Sequence, residues 1–203
     1  FQAEDGIRDC LLSRGLGDVY KRQGGHTGLA YLGALAGHET FDQAMQDQEI
    51  RAHFDAWERD EVLIGLDKNI PFDTVAYLGE ISRRFENSGI ADSLERICMD
   101  GYSKMSIYIR PTLSACLKLG VLPKAGFDCI ASWVVYTRCV QEGLCKVPYH
   151  EPLWDRVATL LAEGNETRLA SDTELWGDLP TRYNEFVPAL VAAIEEMDKK
   201  WRA

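Results

Sequence analysis

Three short clusters bring together residue types that can do chemistry. The first is Gly24-Gly-His26-Thr27, at the head of Gly28-Leu-Ala-Tyr-Leu-Gly-Ala-Leu-Ala-Gly37. A histidine placed just ahead of a helix and behind two glycines can offer its ring nitrogens to a ligand that approaches closely. The same residues also read as an ordinary helix start with an incidental histidine. The second cluster is Arg83-Arg84-Phe85-Glu86-Asn87, followed by Ile90-Ala-Asp92. Two cations near a helix C-terminus complement its dipole and need no further role. The third is Arg96 and Asp100-Gly-Tyr-Ser-Lys104. An Arg and a Lys are both obligate donors, and across a turn they can clamp hydroxyl or carboxylate oxygens. Salt bridges to Asp92, Glu95 or Asp100 are the alternative use of the same charges.

The elements that must position these side chains read as helices. The chain has 203 residues, enough for one domain with a real core, and 46% of them are hydrophobic. Thr40-Phe-Asp-Gln43 is a capping box, and Ile50, Phe54, Trp57, Val62 and Leu63 continue an apolar stripe after it. Pro71 breaks the chain; Asp73 caps a helix with Val75, Leu78 and Ile81 inward. Ile90, Leu94, Ile97 and Cys98 mark a short helix ended by Gly101. Met105 to Leu119 contains Pro111, so it reads as two helical pieces meeting there, with Gly120 as the stop. Phe127, Ile130, Ala131, Val134, Val135 and Val140 form a broad apolar face, which makes that helix central. Residues 144–152 are a connector. Trp154, Val157, Leu160 and Leu161 open another helix, Ser171-Asp-Thr-Glu174 is a second capping box, and Tyr183 to Ile194 is a final amphipathic helix. No strand pair or internal repeat appears. The expected fold is all-α, a single multi-helix domain of about eight helices over residues 24–203.

Composition excludes several function classes. A net charge of −10 disfavours nucleic acid as a partner, because phosphate contacts need clustered cations. The longest apolar run, Cys129 to Tyr136, is too short to span a membrane. Six cysteines without a CxxC read as buried small hydrophobes, and four histidines without an HxxxH pair give no expected metal site. The absence of an apolar secretory core makes a cytoplasmic protein the expectation. Residues 1–23 differ from the rest: four acidic and four basic residues cancel there, and no helical or strand period is sustained. The segment resembles translated sequencing-adaptor DNA, and is set aside as non-native.

Taken together, Gly24-Gly-His26 through Thr40, Arg84-Phe-Glu-Asn87 through Asp92, Arg96 through Lys104, and Arg110-Pro-Thr112 resemble the C-terminal domain of the polyol-specific long-chain dehydrogenases. That family spans mannitol 2-dehydrogenases, D-arabinitol 4-dehydrogenases and the fructuronate and tagaturonate reductases. The resemblance implies an N-terminal Rossmann domain for NAD or NADP, absent from these residues, with the active site between it and the helical domain. It implies metal-independent oxidation of a secondary alcohol of a sugar alcohol to a ketose. It also implies a motif of Lys, four residues, Asn, two residues, His. The lysine is its general base, and the other two stabilise the developing alkoxide.

Only the histidine of that motif is present, as His26; the lysine position falls on Asp18 and the asparagine position on Gln23. The resemblance makes Arg96 and Lys104 substrate-binding residues, with Asn87, Asp100 and Tyr102 as supports. A sugar alcohol or ketose is the expected ligand, and the chain by itself is expected to be inactive. Other readings are a hexuronate reductase, which would need a further cation, a 6-phosphogluconate-type dehydrogenase, which would need a phosphate cluster, and a non-catalytic helical interaction module. The last predicts that Arg96 and Lys104 point to open solvent, away from His26.

Overall fold

A computed structural model describes residues 17–65, 79, 82, 83, 89 and 91–202, with backbone alone for 17–23. Every regular element among them is helical; an isolated bridge between Thr40 and Ser93 is the one sheet-like contact described. No described helix is long and apolar enough to cross a membrane.

Helix α1, Gly17–Leu35, begins inside the segment set aside above, so His26 lies within a helix and not ahead of one. The glycines around His26 serve helix packing. A Cβ on Gly24 would come within 2.6 Å of the Trp57 ring, and one on Gly28 within 2.8 Å of Cys129 Sγ. Only glycine lets the neighbouring elements approach that closely.

Helices α2 (Phe41–Gln46) and α3 (Gln48–Ala56) follow. The Gln43 carboxamide accepts the Thr40 N–H at 3.4 Å, as the capping box requires. A π-helical turn, Trp57–Val62, continues α3. Trp57 and Val62, five residues apart, are both buried, and the wider π turn brings that step nearer to one face than an α-helix would. The helix expected from Asp73, Val75, Leu78 and Ile81, with Pro71 and Ile90, lies outside the described residues.

The next stretch differs from expectation at one position. Helix α4 covers Leu94–Cys98, and Gly101 does not end it but opens α5, Gly101–Lys104. The reversal happens at Asp100, a non-glycine residue at φ +55°. A second π turn, Met105–Ile109, then meets α6, Arg110–Lys118, where Arg110 N–H reaches back to Met105 O. Pro111 therefore stands in the first turn of α6, where its missing N–H leaves nothing unpaired. Gly120, at φ +74°, closes that helix.

Helix α7, Lys124–Gln141, is the centre of the fold and packs between α1 and the last helix, α12, Phe186–Arg202. Ile130, Trp133, Val134 and Tyr136 on it have no exposure at all. Between them run α8 (Trp154–Leu160), α9 (Glu166–Ala170), α10 (Thr173–Trp176) and α11 (Leu179–Arg182). Asp172, one residue past the expected Ser171, caps α10 by accepting the Leu175 N–H at 2.8 Å. The described residues hold twelve α-helical segments against the eight expected. The excess is in segments of four or five residues, too short to carry an apolar period.

Candidate functional site

His26 projects from α1 against Phe41 of α2, with ring centroids 4.2 Å apart. Burial, the strongest influence on it, pushes the imidazole down to about pKa 4; Asp92 opposes this, and Lys104 and Arg96 reinforce it. The ring is therefore neutral at pH 7, with one nitrogen as donor and the other as acceptor. Those influences also place Asp92, Arg96 and Lys104, from a distant stretch of chain, within electrostatic reach of one ring.

Arg96 lies on α4 with its side chain 67% exposed. It makes a two-pronged ion pair with Asp92, Nε to Oδ1 at 2.9 Å and the Nη2 arm to Oδ2. Of the partners anticipated for it, Asp92 is the one engaged. Lys104, at the end of α5, is half-buried, and its ammonium donates to the Ile97 carbonyl. Burial, first among the causes, holds the Lys104 amine below its ordinary range, while Cys98, Asp100 and Glu151 raise it and Arg96 lowers it.

The turn that carries Lys104 is fixed by the connector 144–152. Glu151 accepts the Tyr102 N–H at 3.1 Å and the Tyr149 hydroxyl at 2.6 Å, and Tyr149 in turn accepts the Trp133 indole N–H at 2.8 Å. Asp100 N–H donates to His150 O at 3.1 Å. The Asp100 side chain lines an open groove of about 410 Å³ with Met99, Tyr149, His150 and Trp154. The Tyr102 ring turns to Arg156, whose guanidinium lies 5.1 Å from its centroid. Asn87 lies outside the described residues. Asp18 and Gln23 share helix α1 with His26.

Three contributors were not visible as such in the sequence. Asp92 registered only as a salt-bridge partner, and its i, i+4 spacing from Arg96 was the available signal. Glu151 and Tyr149 gave no signal, because their partners are far along the chain. Among the described residues, no group of three His, Cys, Asp or Glu side chains is placed to hold a metal ion. Nor do those residues contain a strand leading through a glycine-rich turn into a helix, the element that cradles a dinucleotide pyrophosphate.

Residues 21–198 match the mannitol dehydrogenase C-terminal domain. The chain belongs to that family. Within it, the chain is 28% identical to the D-arabinitol 4-dehydrogenase of Ralstonia nicotianae, over 88% of this chain and 38% of that protein. It is 30% identical to the mannitol 2-dehydrogenase of Cereibacter sphaeroides, over 88% of this chain and 37% of that protein. Among solved structures it is similar to the Pseudomonas fluorescens mannitol 2-dehydrogenase in ternary complex with NAD and D-mannitol. That likeness has a TM-score of 0.77 and 27% identity, over 89% of this chain and 36% of that one. A substrate-free D-sorbitol dehydrogenase shares the fold at a TM-score of 0.78 and 21% identity. The chain thus spans well under half the length of these relatives.

Proposed function

We propose that this chain is the substrate-holding helical part of an NAD- or NADP-dependent polyol dehydrogenase, which oxidises a secondary alcohol of a sugar alcohol to a ketose. The observation that carries this reading is a neutral His26 with the cations of Arg96 and Lys104 in electrostatic reach. Its family, and a relative solved with NAD and D-mannitol, support it. A neutral imidazole N–H donates to the reacting hydroxyl and holds that oxygen as its charge develops. Arg96 and Lys104 donate to hydroxyls further along the polyol and fix its position. The nicotinamide ring supplies the hydride acceptor when bound. The family resemblance assigns its binding, and the general base, to an N-terminal Rossmann portion, and the greater length of the relatives leaves room for one.

The test is a chimera in which residues 24–203 follow the N-terminal portion of the Cereibacter sphaeroides enzyme, including that portion's motif Lys and Asn. Mannitol- or arabinitol-dependent reduction of the nicotinamide is expected. His26→Ala should lower kcat by about 10²–10³, the usual effect of losing one oxyanion donor. A folded chimera that turns over no polyol, or one indifferent to His26→Ala, sinks the proposal.

A further inference from the structure

We propose that Asp92 is a positioning residue of this site: it fixes the Arg96 guanidinium in place and, by pairing its charge, matches the site to uncharged hydroxyls and not to a carboxylate. The inference rests on the reading of Arg96 as a substrate-binding group.

The geometry makes Asp92 a fixed point. Its carbonyl accepts the Phe41 N–H at 2.9 Å, and the next residues pair back onto the same strand-like stretch, Leu94 N–H to Glu39 O at 3.0 Å with Ser93 bridged to Thr40. Phe41 is the residue whose ring packs on His26. One short link therefore joins the imidazole, through Phe41, to the carboxylate that grips Arg96. Ala91, just before it, is held at φ +42°, a conformation that costs a residue with a Cβ and that redirects the chain into Asp92. The Asp92 side chain is 23% exposed against 67% for Arg96, so the carboxylate is the anchor and the guanidinium the group being held.

Without that grip an exposed arginine samples many rotamers, and ordering it on substrate binding would cost affinity. An exposed i, i+4 pair adds little to stability, so orientation is its stronger effect. Charge follows the same logic. His26 is neutral and Asp92 offsets Arg96, so that pair shows a ligand no net charge; Lys104 keeps its own charge while donating to Ile97 O. A polyol hydroxyl can accept from Arg96 and donate to Asp92 at once, whereas a carboxylate would meet Asp92 as a like charge.

The test uses the isotopically labelled chain, without cofactor. The Arg96 Nε–H resonance, assigned by its loss in Arg96→Lys, is expected to be sharp and slowly exchanging. In Asp92→Asn it should broaden, and the acid titration of the His26 ring should move to lower pH, since its main opposing influence is gone. Asp92→Glu keeps the charge and should preserve the His26 curve. An Arg96 signal and a His26 curve both unchanged in Asp92→Asn overturn the assignment. If that variant does not fold, Arg96→Gln carries the test: His26 should become easier to protonate, and no change overturns the proposal. For specificity, the ratio of D-gluconate to D-mannitol affinity should rise about 2- to 5-fold in Asp92→Asn, and an unchanged ratio overturns that half. Wild-type chain that responds to neither ligand counts against the substrate reading of the previous section. It leaves the Asp92 assignment to the ligand-free signals.

Discussion

At Gly101 a single hydrogen atom decides whether Lys104 can reach its place. A Cβ there would lie 2.3 Å from Trp133 Nε1, 2.4 Å from the Tyr149 hydroxyl and 2.8 Å from the Tyr31 hydroxyl. These are the polar ends of rings held in place: Tyr31 donates to Cys98 O at 3.3 Å, and Trp133 and Tyr149 belong to the Glu151 chain. None can swing away as a flexible side chain would. Gly101→Ala should therefore destabilise the chain by about 1–3 kcal/mol, the usual cost of overpacking a tight site. Urea unfolding measures it, and an unchanged midpoint would show that the cradle gives way. The sequence marks Gly101 as a break, but a break has two sides: α4 ends before it at Cys98, and Gly101 itself opens α5. Arg96 and Lys104 stood out because obligate donors across a turn are conspicuous in any sequence. Glu151 did not, because its backbone partner Tyr102 is 49 residues away.

Among the elements, the start of α7 depends on a carboxylate from another helix. Glu61, in the first π turn, accepts the N–H groups of Ala125 at 2.6 Å and Gly126 at 2.9 Å, which the first turn of α7 cannot bond internally. Burial raises its carboxyl to about pKa 7, outweighing the two amides, which pull the other way; Asp128 and Asp60 add to the rise. A folded pKa above the unfolded one means the folded state holds the proton longer. Glu61 thus stabilises the fold fully in acid, and loses that contribution as pH climbs from about 4.5 to about 7. The loss is at most about 3 kcal/mol. His26 slopes the opposite way between its ordinary 6.5 and about 4, so the comparison must be made between chains. Relative to wild type, Glu61→Gln should gain stability as pH rises across that window, because only its falling contribution has been removed. Urea midpoints read at pH 5, 6 and 7 check this, and parallel curves would refute it. Long elements such as α7 and α12 were legible because several turns repeat one apolar face. The π turns were legible only as a stripe, since a five-residue step looks like an irregular helix on paper. Segments as short as α9 to α11 are set by what they pack against, and a sequence does not display that.

For the whole molecule, a buried cation adds a polar tie to the packing that joins the helices carrying the site to the C-terminal half. Arg138, 4% exposed on α7, donates from Nε to Leu161 O at 2.8 Å and from Nη2 to Ala162 O at 3.3 Å. It also pairs with Glu166 at 2.6 Å and Asp198 at 3.2 Å. One guanidinium thus joins α7, the end of α8, α9 and α12, while α7's other side packs on α1 and so supports His26. Its planar fork of five donors suits this, and a lysine would satisfy fewer of the four acceptors. Removing it leaves two carboxylates and two carbonyls facing one another. Breaking a buried pair in this way costs about 3–5 kcal/mol. Glu166 and Asp198, at 17% and 23% exposure, still meet some water, which places Arg138→Ala near the lower end. The matched control is Arg59→Ala, which removes an exposed pair with Asp60 and should leave the denaturation midpoint where it is in wild type. If the two variants unfold at the same denaturant concentration, Arg138 is not the tie. If Arg138→Ala instead unfolds in two steps, with the C-terminal helices first, the cation is what makes the two halves fold as one body.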